Sequence, residues 1–220
     1  MMMGKKLFFG SLVLALCGAT ATVDAYAETR QETAASYIDL GNKFASHGDI
    51  TRAIGAYNIA LQFAPDFAPA FFYRGRAYSA RGDISKAIAD YTSALDIVPG
   101  MTAALYNRGN LRFMEGDLDS ALSDFDQAVA SNPDYVMAYN NRGIVRVAKG
   151  DFEGAMADFA KAIKIDPHHA EAYVNLGITW LRQGNRLQAE QNFARSIAVK
   201  PSLKPLIETR INEITKLSAF

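Results

Sequence analysis

The sequence predicts an all-α solenoid, a stack of five two-helix units, and three observations carry that expectation. Gly41, Gly75, Gly109, Gly143 and Gly177 recur at a step of 34 residues. A second series, Gly48, Gly82, Gly116, Gly150 and Gly184, keeps the same step, as does a third, Pro65, Pro99, Pro133, Pro167 and Pro201. Between them Ala53, Ala87, Ala121, Ala155 and Ala189 are each followed four residues on by an aromatic, Tyr57, Tyr91, Phe125, Phe159 or Phe193. Three residues later comes Ala60, Ala94, Ala128, Ala162 or Ser196. Offsets of four and three return to one face of a helix. A period of this length marks supersecondary units that bury their apolar faces against neighbours, rather than a chain folding around one core.

The elements follow in chain order. Lys5 and Lys6 precede an apolar run from Leu7 to Leu16, and small residues lead to Ala25-Tyr26-Ala27. That succession of charged, apolar and A-x-A segments is expected to be a secretory signal peptide, residues 1–27, cleaved after Ala27. The apolar run is too short for a spanning helix, which needs about 20 residues. Leu14-Ala15-Leu16-Cys17 is superficially a lipoprotein box, but Leu16 stands where Gly, Ala or Ser normally precedes the lipidated cysteine. Cleavage removes Lys5, Lys6, Asp24 and the single Cys from a chain of 23 basic and 23 acidic residues, so the formal charge moves from zero to −1. A thiol-free exported domain is held by packing, and a bacterial periplasm suits it. Residues 28–33 are expected to fray.

Each unit then opens with helix A, which carries Tyr37, Phe71, Leu105, Tyr139 or Tyr173 four residues before the first glycine. That glycine admits a neighbouring helix. The second glycine ends helix A as a left-handed cap, and Asp49, Asp83, Asp117, Asp151 or Asn185 starts helix B as an N-cap. Proline closes helix B. After Pro201, the residues Leu203, Ile207, Ile211, Ile214 and Leu217 share a helical face, with Lys204, Glu208, Asn212, Glu213 and Lys216 elsewhere. A stack exposes its last apolar face, and a helix that is polar outside caps it.

In this register the chain closely resembles the tetratricopeptide repeat (TPR) family, whose pattern is an aromatic, Gly, aromatic, Ala, aromatic, Ala and Pro at these positions. The resemblance sets five repeats at 34–67, 68–101, 102–135, 136–169 and 170–203, with a capping helix at 204–220. It implies a right-handed superhelix whose A helices line a concave, partner-binding face. The sequence departs from the pattern at Leu105, at Arg112 and Arg146 in place of an aromatic, and at Ser196.

Comparison of the five copies shows a covariation. The residue before the first glycine is Arg74, Arg108 or Arg142 in the middle repeats and Leu40 or Leu176 at the ends. Sixteen residues on stand Asp90, Asp124 and Asp158, against Ala56 and Asn192. In an antiparallel hairpin these positions lie at similar heights, so three Arg–Asp pairs are expected to join helix A to helix B. Duplication of the middle repeats would copy both residues whether or not they touch. Taken as exposed, each pair contributes only about 0–1 kcal/mol, and fixes register more than it stabilises.

Balanced charge and a pI near 6.8 remove the broad electrostatic case for nucleic-acid binding. His168 and His169 follow Pro167 in an inter-repeat turn with no third ligand in view, so neither a metal nor a cofactor is expected. No nucleophile with a positioned base, H-E-x-x-H motif or phosphate loop appears, and the protein reads as non-enzymatic. The candidate site is an amide row, Asn107, Asn141 and Asn175, two residues before the first glycine in repeats three to five. Packed helices sit about 8–10 Å apart and an extended chain advances about 3.3–3.6 Å per residue, so one amide meets roughly every third ligand residue. Tyr106, Asn110, Phe113, Met114, Asn140, Ile144 and Val174 surround the row. It resembles the asparagine ladder of some TPR proteins, which grips extended peptide, whereas the cations of the carboxylate-clamping subclass are missing from Tyr106, Asn110, Asn141, Glu171 and Asn175. The expectation is an exported adaptor for a partner protein or peptide. The alternatives are a lipoprotein-tethered adaptor for proteases or cell-wall enzymes, and a small-molecule carrier or enzyme using the groove.

Overall fold

The computed structural model describes residues 10–217, with side chains described over 28–214. Among the described residues the regular structure is helical, without a strand. The described residues divide into two compact bodies, separated between Ile97 and Val98. The first holds α1 (Gly10–Ser46), α2 (Ile50–Phe63), α3 (Ala68–Arg81) and α4 (Ile84–Ile97). The second holds α5 (Thr102–Met114), α6 (Leu118–Ser131), α7 (Val136–Lys149), α8 (Phe152–Ile165), α9 (Ala170–Arg182), α10 (Arg186–Val199) and α11 (Lys204–Leu217). Odd-numbered α1 to α9 are the A helices, and the even-numbered helices are the B helices.

Within each body, consecutive helices from α1 to α4 and from α5 to α10 pack as antiparallel neighbours, and each A helix also meets the next A helix, α1 with α3, α5 with α7, and α7 with α9. This is the hairpin stack that the 34-residue step predicts. Every B helix ends two residues before its proline, because the residue preceding proline is driven out of the α region. All five glycines of the second series have positive φ, between 76° and 87°. At Gly150, for example, φ of 82° turns the chain so that the N–H of Asp151 reaches back to the carbonyl of Arg146.

The aspartates that follow begin the B helices. Asp49, Asp117 and Asp151, and Asn185 in the last repeat, each accept a hydrogen bond from the backbone N–H three residues on. Asp83 differs, its carboxylate being taken by the Arg81 guanidinium. The Ser120 hydroxyl and backbone N–H hold Asp117 below the usual carboxylate range. A pKa lowered by folding makes the cap's stabilisation complete above the unfolded value of about 3.9 and removes it as pH falls through the folded value. Asparagine caps about as well as aspartate but does not titrate. Asp117→Asn is therefore expected to match the parent in urea midpoint at pH 7 and to lose less on acidification below pH ~4. An identical acid dependence would show that the cap contributes nothing to it.

The first glycine series admits the aromatic of helix B. A Cβ placed on Gly143 would lie 2.6 Å from Cε1 of Phe159, and one on Gly177 would lie 2.6 Å from Cε1 of Phe193. These rings are buried, with Tyr57, Tyr91 and Phe125 in the equivalent places. At the C-terminus α11 packs against α9, with Ile207 2% exposed beside Phe193 and Val174. Ile211 and Leu203 flank it half-buried, and Lys204, Glu208, Asn212 and Glu213 face outward.

Two expectations are corrected. Residues 28–33 do not fray but lie within α1, where Thr33 Oγ1 donates to the carbonyl of Thr29; the stretch holds no Gly or Pro to stop the helix. The Arg–Asp pairs form in all three middle repeats, but they are not exposed. Arg74 donates to Asp90 at 2.8 and 2.7 Å, Arg108 to Asp124 at 3.1 and 2.7 Å, and Arg142 to Asp158 at 2.9 and 2.6 Å. The three aspartates are at most 5% exposed. Arg112 and Arg146, which replace an aromatic, add a second guanidinium to Asp124 and Asp158, both at 2.8 Å. The two arginine departures from the repeat pattern thus share one construction, a buried carboxylate held by two arginines one turn apart. Arg74 also reaches Asn58, and Arg142 reaches Asp126, both on the preceding B helix at 2.7 Å.

The first nine residues, and the side chains of 10–27 with Cys17 and the Ala25–Ala27 cleavage site, lie outside the described residues. No helix among the described residues is long and apolar enough to cross a membrane.

Candidate functional site

In the second body the A helices α5, α7 and α9 bring the candidate amides together. Asn141 on α7 donates through Nδ2 to Asn110 Oδ1 on α5 at 2.7 Å and to the Tyr106 hydroxyl at 3.2 Å. Its own Oδ1 accepts from Asn140 Nδ2 at 3.0 Å. Asn140 in turn accepts from Asn175 Nδ2 on α9 at 2.8 Å. The amides therefore form a directed chain, Asn175 to Asn140 to Asn141 to Asn110, which crosses two helix boundaries.

This differs from a row of three independent amides. Asn107 is half-buried and makes no side-chain hydrogen bond among the described residues. Asn140, beside the row in sequence, is its central link and only 5% exposed. The cause is geometric. Successive A helices approach within reach of an asparagine side chain, and a half-buried amide left without partners loses its hydration. Mutual bonding resolves that cost and fixes the rotamers.

An asparagine has two N–H donors and an oxygen with two lone pairs. The chain consumes both N–H groups of Asn141 and leaves the Asn110 amide nitrogen and the Asn175 oxygen without partners among the described residues. One end of the chain thus offers donors and the other an acceptor.

The surrounding residues divide by role. Tyr106 packs edge-on to Tyr135 with ring centroids 5.2 Å apart, and lies 6.1 Å from Phe125. Phe113 packs against the Ala121, Phe125 and Val145 cluster, so much of its ring is committed to the core. Ile144 is half-buried, Val174 is buried and Met114 is 74% exposed. Tyr135 escapes the repeat arithmetic, although an aromatic just before an A helix recurs as Phe67, which precedes the A helix of repeat two. Burial, with Tyr106 nearby, raises its pKa, so its hydroxyl stays protonated at neutral pH. Glu171 pairs with Lys200 at 2.8 Å, and that bond holds its carboxyl below the usual range.

Outside the amide chain, His168 is exposed while His169 Nε2 is buried without a hydrogen-bond partner. No group of three or more His, Cys, Asp or Glu placed to hold a metal occurs among the described residues.

Family models for the tetratricopeptide repeat match residues 38–102 and 106–170, and a second such model matches 146–202. Among solved structures, MamA superposes with a TM-score of 0.70 at 25% identity, over 75% of this chain and 96% of that one. YrrB, a TPR protein with an unusual peptide-binding site, gives 0.68 at 25% identity, over 86% and 95%. A tetratricopeptide repeat protein from Parabacteroides merdae gives 0.75 at 21% identity, over 86% and 74%, and shares the fold. No curated protein sequence matches the chain.

Proposed function

The chain belongs to the tetratricopeptide repeat family, and from that premise we propose that it is a non-enzymatic adaptor, exported to the periplasm, that holds an extended segment of a partner protein along the amide chain of α5, α7 and α9. The observation that carries this reading is the set of cross-helix amide bonds, Asn141 to Asn110 at 2.7 Å and Asn175 to Asn140 at 2.8 Å. Amides fixed by one another meet a ligand already oriented, so little side-chain freedom is lost on binding.

An extended segment supplies a backbone N–H and C=O at every residue except proline. The unspent Asn110 donors suit a carbonyl, and the Asn175 oxygen suits an N–H. Such contacts bind backbone without reading side chains. The peptide-binding site of YrrB, at 25% identity, supports a peptide as the ligand class. Export rests on the charged, apolar and A-x-A succession of residues 1–27, and mass spectrometry of the mature N-terminus tests it. A chain beginning at Glu28 is the expected result, and a lipid mass on Cys17 would replace it with the tethered form.

The binding reading is tested by cross-linked pull-down from envelope extract, with the parent beside the Asn110, Asn141 and Asn175 to Ala triple variant. Each net hydrogen bond contributes about 0.5–1.5 kcal/mol, so loss of two or three is expected to reduce recovery of the cognate partner roughly ten- to a hundredfold. Equal recovery of every partner would remove the amide face from the function.

A further inference from the structure

A cavity of about 470 Å³ opens in the first body between α1, α2 and α3, lined in part by Asn42, Ala45, Ser46, Tyr73, Arg76 and Ala80. Its origin lies in the repeat register. The positions of Ala45 and Ser46 are Phe113 and Met114 in the third repeat, where Phe113 packs onto the core. In the first repeat the same space is left open by two small side chains.

The walls of this space are chemically specific. The Tyr57 hydroxyl donates to Asn42 Oδ1 at 2.8 Å, which orients the amide and leaves both its N–H groups without partners among the described residues. On α3, Arg74 pairs with Asp90 and Arg81 with Asp83. Arg76, on the same helix, is exposed and has no ion-pair partner among the described residues. Its guanidinium lies 5.9 Å from the centroids of the Phe72 and Tyr73 rings. Burial raises the Tyr57 pKa against the opposing Arg76 charge, so the hydroxyl remains a neutral donor and Asn42 keeps its orientation at physiological pH.

We propose that this cavity is a recognition pocket for the side-chain carboxylate of a glutamate in a bound peptide, which pairs with the Arg76 guanidinium and the Asn42 amide while its methylenes lie against Ala45 and Ala80. A planar guanidinium matches a carboxylate with two parallel hydrogen bonds. One cation and one amide balance a single negative charge, which favours a carboxylate over the nearly dianionic phosphate of a phosphopeptide. The apolar wall accepts the glutamate stem. The pocket is separate in residues from the amide chain of α5, α7 and α9 and does not rest on it. It supplies a side-chain preference that backbone-directed amides lack.

The test is nuclear magnetic resonance titration of the isotope-labelled full chain with three probes. These are acetyl-Ala-Ala-Glu-Ala-Ala-amide, the same peptide with Gln for Glu, and acetyl-pentaalanine with a free carboxyl terminus. The Arg76 Nε–H and Asn42 side-chain amide signals are followed. The Glu peptide is expected to shift both saturably and to bind about tenfold tighter than the Gln peptide, the scale of a hydrogen bond to a charged group. The free-terminus peptide is expected to behave like the Gln peptide.

Arg76→Gln, and separately Ala45→Phe with Ser46→Met, are expected to bring the Glu peptide down to the Gln level. Equal binding of Glu and Gln peptides, a free-terminus peptide that matches Glu, or an Arg76→Gln variant that still prefers Glu would each overturn the proposal. Shifts at the Asn110 and Asn175 amides that do not distinguish Glu from Gln report on the other face, so the two readings fail separately.

Discussion

Asp124→Ala is expected to destabilise the protein by about 3–5 kcal/mol, the cost of leaving buried charge without its counter-ion. Asp124 is 1% exposed and accepts from Arg108 at 3.1 and 2.7 Å and from Arg112 at 2.8 Å. Removing the carboxylate leaves two guanidinium groups, on side chains 11% and 24% exposed, facing one another without their counter-ion. Asp158→Ala, which also strips two arginines of their shared carboxylate, should cost somewhat less, because Arg142 keeps Asp126 at 2.7 Å and Arg146 keeps the Gly154 carbonyl at 3.2 Å. Asp90→Ala should cost less, since Asp90 holds only Arg74, which keeps its bond to Asn58.

Urea unfolding of the three variants reads this ranking directly. A double-mutant cycle on Arg108 and Asp124 is expected to show coupling well above the roughly 1 kcal/mol ceiling of an exposed pair. Coupling near zero would mean that the pair is a by-product of duplicated sequence. The same physics makes simultaneous replacement of Arg108, Arg112 and Asp124 by apolar residues of similar volume far milder than any single loss, because a buried ion cluster is repaid little more than its desolvation cost.

The second large effect is steric. Gly143→Ala sets a Cβ 2.6 Å from Cε1 and 2.9 Å from Cζ of Phe159, a ring 1% exposed and therefore without room to retreat. Overpacking of this kind costs about 1–3 kcal/mol. Gly75→Ala is expected to cost less, because its nearest contact, Tyr91 Cε1, lies 3.0 Å away. Adding Phe159→Leu to Gly143→Ala should give less destabilisation than the two single losses summed, since the smaller side chain relieves the clash. Strict additivity in thermal or urea unfolding would place the cost in the backbone instead.

Much of this fold was legible because each repeat restates the same local rules. Glycine cannot be avoided where a ring meets the A helix at Gly143, nor where φ is 82° at Gly150. The Arg–Asp covariation was legible for the same reason, as three copies of one contact. Its burial was not, because exposure at Asp124 is decided by α5, α6 and the packing around them together, and no single spacing encodes that.

Arg112 shows the limit well. In sequence it stands in place of an aromatic, while in three dimensions it lies one turn from Arg108 and shares the same carboxylate. The amide site was legible as a surface but not as a network. Asn141 and Asn175 recur in register, yet the bond between repeats runs through Asn140, whose equivalents are Tyr106 and Val174. A pattern that repeats finds what repeats, and the linking residue does not.

The aspartate that faces Arg142 from the preceding B helix, Asp126, has a consequence for how such a chain can grow. The third repeat carries both halves of the junction, an arginine–aspartate hairpin of its own and an acid offered forward to the next arginine. A second copy of residues 102–135 spliced in tandem would meet its neighbours with the same complementary groups on either side. Repeats one and five, with Leu40 and Asn192 at the paired positions, have no such interchangeable edges. Lengthening by duplication is chemically open in the middle of this chain and closed at its ends.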